Sequence, residues 1–103
     1  MSYEVIISEQ AYTDLREIFA HIAFGLQSRI NAARQIDRIE KEIMSLSEMP
    51  ERYKRYDREP WLIRNTHMMT VDRFCVFYQV DRNIGTVYIL RVLFGGRDIE
   101  TEL

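Results

Sequence analysis

The chain has 103 residues, of which 47% are hydrophobic, so it can bury the core of one compact domain and not of two. A single cysteine excludes an internal disulfide, and with only two histidines beside it we expect no metal and no cofactor. No apolar run approaches the roughly 20 residues of a membrane helix, and no signal-peptide pattern opens the chain, so we expect a cytoplasmic protein without membrane contacts. The sequence pI of about 5.7 argues against a protein that binds a nucleic-acid backbone with its whole surface.

The first half of the chain predicts a strand followed by two amphipathic helices. The run YEVIIS is rich in β-branched residues, and its last residue, Ser8, stands where a helix N-cap is expected. Apolar residues recur at helical spacing over 11–26 and again over 33–46, and Ser28 or Asn31 caps the second helix. Because the connector is very short, the two helices form an antiparallel hairpin.

The second half predicts three strands after an irregular loop. Residues 62–71, 74–80 and 86–94 have the composition of strands, and the sequence DRNIG forms a hairpin turn between the last two. The last strand is an almost continuous apolar run, which is typical of a central strand buried on both faces. The order β-α-α-β-β-β predicts a single α+β domain over 1–103, a mainly antiparallel four-stranded sheet packed against a helical hairpin.

A histidine among arginines is the first candidate site. His67 is flanked in sequence by Arg64 and Arg73. A histidine can act as acid or base on a phosphodiester near neutral pH, while arginines hold the phosphate. A histidine of this kind is more often an ordinary surface residue of a strand, so the residues by themselves leave both interpretations open.

Aromatic residues of the loop and the sheet are candidates for partner binding. The loop 51–61 interleaves basic side chains with tyrosines and Trp61, a pattern that serves single-stranded nucleic acid, although acidic residues nearly cancel its charge. Alternation along the predicted strand 74–80 sends Phe77 and Gln79 to the face away from the helices. An exposed aromatic ring there would mark a partner surface.

The last strand contains Arg91, a further candidate for partner binding, and ends in two glycines followed by Arg97. Gly95 and Gly96 can adopt positive φ, so their N–H groups could form an anion-binding nest beside Arg97. The alternative is a structural turn closed by an ion pair between Arg97 and Asp98.

The succession of segments resembles the RelE/ParE toxin superfamily of bacterial type II toxin–antitoxin modules, often labelled plasmid stabilisation proteins. The resemblance covers nearly the whole chain and rests on YEVIISEQAYTDLREIFAHI, IEKEIMSLSEMPERY, EPWLIRN, VDRFCVFYQVD and VYILRVLFGGRD. It implies the same β-α-α-β-β-β fold. It also implies a growth-inhibiting toxin that is neutralised by a cognate antitoxin, whose extended or helical segment wraps the sheet and helices.

The superfamily has two activities, and the resemblance bears on which of them applies. RelE-like members cut mRNA on the ribosome, whereas ParE-like members poison DNA gyrase. The ribonuclease branch has an arginine where this chain has Cys75, lysines around Thr66 and Met68, and a tail tyrosine that nothing after Tyr88 matches; only Arg97 is kept. Each lost donor to the developing charge costs on the order of 3 kcal/mol. The motifs WLIRN and GGRD resemble the ParE-like branch.

Three interpretations follow. The first is a ParE-like toxin without chemistry of its own that binds DNA gyrase or another target, although His67 stands where that branch often has an arginine. The second is a RelE-like endoribonuclease acting on ribosome-bound mRNA through His67, Arg64, Arg73 and Arg97. The third is an inactive relative kept as a complex partner. All three imply a cognate antitoxin as a partner. The chain itself is expected to form either a homodimer or a hetero-oligomer with that antitoxin. For either activity, we expect Arg97→Ala to weaken function without unfolding the domain.

Overall fold

The computed structural model of the protein describes residues 2–60, 64–96 and 103. Its helices and strands have the predicted order, and β2 is described from Thr66, while residues 62 and 63 of the predicted strand lie outside the described residues. They are β1 (Glu4–Ile7), α1 (Glu9–Ala20), α2 (Arg29–Met44), β2 (Thr66–Val71), β3 (Phe74–Asp81) and β4 (Thr86–Phe94). A π-helical turn, His21–Gly25, follows α1, and two 3₁₀ turns, Ser45–Ser47 and Pro50–Arg52, follow α2. Within these ranges no helix is both long and apolar enough to cross a bilayer.

Serine side chains begin both helices. Ser8 Oγ accepts a hydrogen bond from the Ala11 N–H at 3.0 Å, and Ser28 Oγ accepts one from the Asn31 N–H at 3.3 Å, so Ser28 is the cap of the second helix. The Ser8 hydroxyl also donates to the carbonyl of Leu90 at 3.0 Å. The first residue of the helical hairpin is thereby fixed to the middle of β4.

The strands form one sheet in the order β1-β4-β3-β2. β2, β3 and β4 make an antiparallel meander, while β1 runs parallel to β4, from Glu4 beside Thr86 to Ile7 beside Ile89. β4 is therefore central, as predicted. Its burial on both faces is incomplete, because Tyr88 and Phe94 remain 36% and 38% exposed.

The predicted hairpin turn joins β3 to β4. Gly85 has a φ of +64°, which glycine adopts without strain. The carboxylate of Asp81 accepts hydrogen bonds from the N–H groups of Asn83 (3.0 Å) and Ile84 (3.3 Å) and so closes the turn.

Apolar side chains pack on both faces of the sheet. The main core lies between the sheet and the helices and includes Val76 and Tyr78, as the alternation of β3 predicted. The opposite face has a second cluster of Cys75, Phe77 and Leu93. The expectation that Phe77 is exposed is wrong, since its exposed fraction is 0%. Sequence alternation indicates the face of a strand correctly, but it does not reveal that another segment folds over that face.

The two edges of the sheet differ. The loop runs along the outer edge of β2, where the Tyr56 N–H donates to Thr66 and the Met68 N–H donates to Lys54. At the other edge, β1 pairs with β4 alone over 4–7 among the described residues. The edge of β2 is therefore covered by the chain itself, whereas that of β1 is open to another strand.

Candidate functional site

His67 is buried, with 6% of its surface exposed, and does not lie free on the strand surface. Its ring stacks on Tyr78 with 5.2 Å between centroids, and Nδ1 lies 2.8 Å from the carbonyl oxygen of Tyr53. With Nδ1 protonated it donates to that carbonyl, and Nε2 is then the ring nitrogen that can accept a proton or a ligand hydrogen bond.

His67 and Arg64 line one open groove of about 890 Å³, which we call the loop groove. It lies between the 51–55 segment of the loop and the ends of the strands around the β3–β4 turn. Its lining includes Glu51, Tyr53, Lys54, Arg55, Arg64, Asn65, His67, Gln79, Asp81, Arg82 and Tyr88. The groove thus joins loop residues and strand residues far apart in the sequence, and two of the predicted catalytic residues are among them.

The charges of the loop groove fall into two groups. Glu51 receives two hydrogen bonds from the guanidinium of Arg82, and these hold the pKa of Glu51 below its ordinary value. Arg55 donates to the side-chain oxygen of Asn65 at 3.1 Å. Lys54 and Arg64 have exposed side chains that form no ion pair with any residue in 2–60, 64–96 or 103. Lys54, Arg55 and Arg64 therefore have no carboxylate partner in this part of the chain, and of these three only Arg55 has its side chain held by a hydrogen bond.

The other predicted catalytic residues are not part of this groove. Arg73 lies in the β2–β3 turn, at the opposite end of β2 from His67, and lines a separate cavity of about 510 Å³ beside α1. The grouping of Arg73 with His67 is therefore wrong, because β2 is extended and carries the two residues to opposite ends of the sheet. Arg97 lies outside the described residues.

The predicted partner-binding residues have four different settings. Phe77 is covered by Tyr56, whose ring meets it edge-on at 5.2 Å, and Leu103 packs against the same cluster. Gln79 is half-buried in the loop groove and donates to Thr66 Oγ1 at 3.2 Å. Arg91 is turned toward α1. Trp61 lies outside the described residues. Gln79 and Arg91 are thus partly accessible, each at the wall of a different cavity, whereas Phe77 can contact a partner only where Tyr56 and Leu103 move aside.

Arg91 forms a buried ion pair with Asp14 of α1, at 2.8 Å from Nε and 2.9 Å from Nη2. Asp14 also accepts a hydrogen bond from the Val92 N–H at 2.9 Å, where β1 no longer runs alongside β4. The carboxylate thus takes the place of the missing strand. Sequence reasoning overlooked Asp14, yet there was a signal: an acid in the apolar stripe of α1 faces an arginine in the apolar run of β4.

The two glycines after β4 serve close packing and not an anion-binding nest. Neither has a positive φ, and the Gly95 N–H is already engaged by the carbonyl of Arg73 at 2.8 Å. A Cβ on Gly95 would lie 3.3 Å from the Arg73 oxygen and from Cys75 Sγ, and one on Gly96 would collide with the ring of Phe94. Space, and not backbone conformation, therefore accounts for the glycine pair.

Cys75 lies in the middle strand β3, at the position where the resemblance to the superfamily implies an arginine in the ribonuclease branch. Its thiol is buried against Phe77 and Leu93, and burial raises its pKa. The thiol is therefore neutral at physiological pH, and an apolar cluster surrounds it where a cationic group would hold phosphate.

Solved toxin structures share this architecture. The toxin–antitoxin complex RelBE2 from Mycobacterium tuberculosis aligns with a TM-score of 0.70 and 23% identity, over 91% of this chain and 99% of that chain. The chromosomal ParDE system from P. aeruginosa aligns with a TM-score of 0.75 and 18% identity, over 90% of this chain and 96% of that chain. A mutant E. coli toxin RelE in the free state aligns with a TM-score of 0.67 and 15% identity, over 99% of this chain and 93% of that chain. The chain thus has the RelE/ParE fold.

Sequence comparison narrows this class to one family. Among curated proteins none matches the chain. The profile of the ParE toxin of the type II toxin–antitoxin system parDE matches residues 5–99. The chain therefore belongs to the ParE toxin family, and the predicted fold, superfamily and ParE-like branch are all confirmed.

Proposed function

We propose that this chain is the toxin of a type II toxin–antitoxin module, that it acts by binding a cellular target without chemistry of its own, and that this target is DNA gyrase. Membership in the ParE family gives the class of toxin. The choice between binding and cleavage follows from the face of the sheet on which RelE-like members carry their catalytic arginine.

The apolar filling of that face is the observation that carries the proposal. Cys75, Phe77 and Leu93 are each at most 7% exposed there, and Tyr56 and Leu103 cover them. A ribonuclease must stabilise negative charge on the phosphate in the transition state, and a neutral thiol among hydrocarbon groups supplies no such stabilisation. A protein without that chemistry acts by occupying a partner.

An antitoxin is the second expected partner, and the open edge of β1 is a surface on which its extended segment can add a strand. The N–H groups of Glu4 and Ser8 donate toward β4, to the carbonyls of Gly85 and Ile89, so by alternation those of Val5 and Ile7 point to the open edge. Antitoxin binding is expected to slow hydrogen exchange at Val5 and Ile7, with Glu4 and Ser8 as internal controls. Unchanged exchange at Val5 and Ile7 would place the antitoxin elsewhere.

Two assays on the purified protein test the proposed activity. Inhibition of gyrase supercoiling, with stabilised cleaved DNA, together with intact mRNA on programmed ribosomes, is the expected result. Adding the product of a neighbouring antitoxin gene should restore supercoiling. Cleaved ribosome-bound mRNA with unaffected supercoiling would overturn the proposal. Normal growth of cells that express the chain alone would instead indicate an inactive relative.

The second candidate function, endoribonuclease activity, is favoured by a single observation, the presence of Arg64 and His67 in one groove. A His67→Ala variant distinguishes the candidates. If His67 were an acid or base in cleavage, the variant would lose about 100-fold or more in mRNA cleavage. Under the proposed function, gyrase inhibition by a folded variant stays unchanged.

A further inference from the structure

The loop groove contains more positive charge than its acidic residues neutralise. Arg82 and Glu51 satisfy each other, and Asp81 is engaged by the backbone of the β3–β4 turn. Lys54 and Arg64 remain, exposed and without an ion-pair partner in the described part of the chain. The two free cations line the same groove, so the site attracts a ligand that presents negative charge at more than one point.

The positions of the cationic groups are set by the fold. Lys54 lies in the segment that pairs along the edge of β2, because its carbonyl accepts from the Met68 N–H at 3.1 Å. The next residue, Arg55, bridges to His67 through the backbone and reaches Asn65 with its side chain. The loop thus holds its cations beside the start of β2, where Arg64 lies. Cations placed by a fixed backbone lose less entropy on binding than those on a free tail.

The other lining groups select among anions. Tyr88 presents an exposed ring in the groove, and Gln79, its cross-strand neighbour in β3, presents an amide beside it. An aromatic face next to cations suits a nucleobase next to its phosphates. A duplex keeps its bases stacked inside, so it cannot use Tyr88 in this way. The groove is open to solvent and has a volume of about 890 Å³, which is enough space for a base together with its phosphates.

We propose that the loop groove binds single-stranded nucleic acid, with backbone phosphates on Lys54 and Arg64 and one base stacked on Tyr88. The site lies apart from the apolar cluster around Cys75, and the inference does not depend on gyrase being the target. It gives a role to the basic and aromatic loop, which the proposed toxin function leaves unexplained.

Fluorescence anisotropy with a labelled oligonucleotide of about 10 nucleotides tests the proposal, since single-stranded sites typically span about 4–16 nucleotides. The probes are one RNA, the DNA of the same sequence and its duplex. The variant Lys54→Ala with Arg64→Ala should bind the single strands about 10-fold more weakly or worse. For this double variant, the slope of the logarithm of the binding constant against the logarithm of the salt concentration should be shallower by about 1.4, the value for two lost phosphate contacts on a single strand. The proposal is supported if the affinities for the single-stranded RNA and DNA lie within a few-fold of each other and both exceed the affinity for the duplex.

The matched control is Arg34→Ala with Lys41→Ala, which removes the same charge from the exposed surface of α2. It should bind within about twofold of the unchanged protein. Tyr88→Ala should weaken binding about 5-fold or more, and Tyr88→Phe should restore it, because stacking needs the ring and not the hydroxyl. Circular dichroism of every variant verifies that it is folded.

Several outcomes would overturn the proposal. Equal losses of affinity in the two double variants would mean that the oligonucleotide is attracted by the general charge of the protein and not by this groove. If the unchanged protein gave no anisotropy change at about 50 mM salt, there would be no site, because phosphate contacts are strong at low salt. Equal competition by an acidic peptide, with no effect of Tyr88→Ala, would mean a protein ligand. Backbone NMR shifts caused by the oligonucleotide are expected at 53–55, 64–67 and 79–83, and shifts confined to other regions would also refute the site.

Discussion

Replacing Asp14 by alanine is expected to be among the most destabilising single substitutions in α1. Asp14 is 5% exposed and accepts three hydrogen bonds, two from Arg91 and one from the Val92 N–H. The substitution removes the Asp14 carboxylate from a guanidinium whose side chain is 16% exposed, and it leaves the buried N–H of Val92 in β4 without its acceptor. Little solvent reaches either group, so water offsets only a small part of the loss.

The expected loss in free energy of unfolding is about 4 kcal/mol, within the 3–5 kcal/mol typical of breaking a buried pair from one side. Asp14→Asn should cost about half as much, since an amide oxygen can still accept from Val92 while the charge is lost. Replacing both partners, Asp14→Leu with Arg91→Met, should recover most of the loss, because no buried charge remains.

Urea unfolding followed by circular dichroism measures this effect. With a slope of about 1–2 kcal/mol per molar urea for a domain of this size, Asp14→Ala should lower the midpoint by about 2–4 M. The matched control is Arg38→Met, which breaks an exposed pair of the same 2.8 Å length between Arg38 and Asp72. It is made at Arg38 because Asp72 has a φ of +54°, where alanine would add strain.

The control should cost less than about 1 kcal/mol and lose its effect in high salt, as exposed pairs do. The reasoning is refuted if Asp14→Ala and Arg38→Met cost the same. It is also refuted if the Asp14→Leu, Arg91→Met variant is no more stable than Asp14→Ala, since the charge that Asp14→Ala leaves on Arg91 would then not be the cause.

Three further predictions concern the core and the end of β4. The Tyr78 hydroxyl donates to the carbonyl of Pro50 at 2.5 Å, and burial raises the pKa of Tyr78. The unfolded chain therefore loses this proton at a lower pH than the folded chain does. Above about pH 10, the free energy of unfolding should fall by about 1.4 kcal/mol per pH unit. Tyr78→Phe should lower the free energy of unfolding by about 1–2 kcal/mol at pH 7. In urea unfolding at several pH values, the variant should also lack the one-proton fall in stability above about pH 10, and an unchanged fall would mean that Tyr78 does not cause it. The buried thiol of Cys75 should react with a disulfide reagent many times more slowly in the native state than in urea, and equal rates would mean that it is not covered. Gly96→Ala should cost about 1 kcal/mol in thermal melts by displacing the ring of Phe94, and an unchanged melting temperature would mean that the ring moves freely.

Local patterns accounted for the elements of the fold. The alternation of β3 and the apolar run of β4 depend on which side chains fit a pleated surface, so they could be recognised without the rest of the chain. Ser8 and Ser28 act within one turn of their own helices, and a cap is a local interaction. The family resemblance rested on the same segments in the same order, which is why the fold and the branch could be named from residues.

The candidate site could be predicted only in part. Arg64 and His67 are three residues apart at the start of β2 and stay together, whereas Arg73 is carried to the far end of the strand by an extended backbone. Tyr88 joins the groove from another strand. Its place there depends on the register of β3 against β4, which no local pattern specifies.

By itself, the sequence determined the type and order of the elements and the face that each strand turns to the helices, because periodicity and capping act over a few residues. Only the tertiary structure decided what covers each face and which charges meet. Phe77 is buried because the loop and Leu103 fold over it, and Asp14 meets Arg91 because α1 packs where β1 ends. Burial and ion pairing depend on groups distant in sequence, and such proximity is a property of the folded chain.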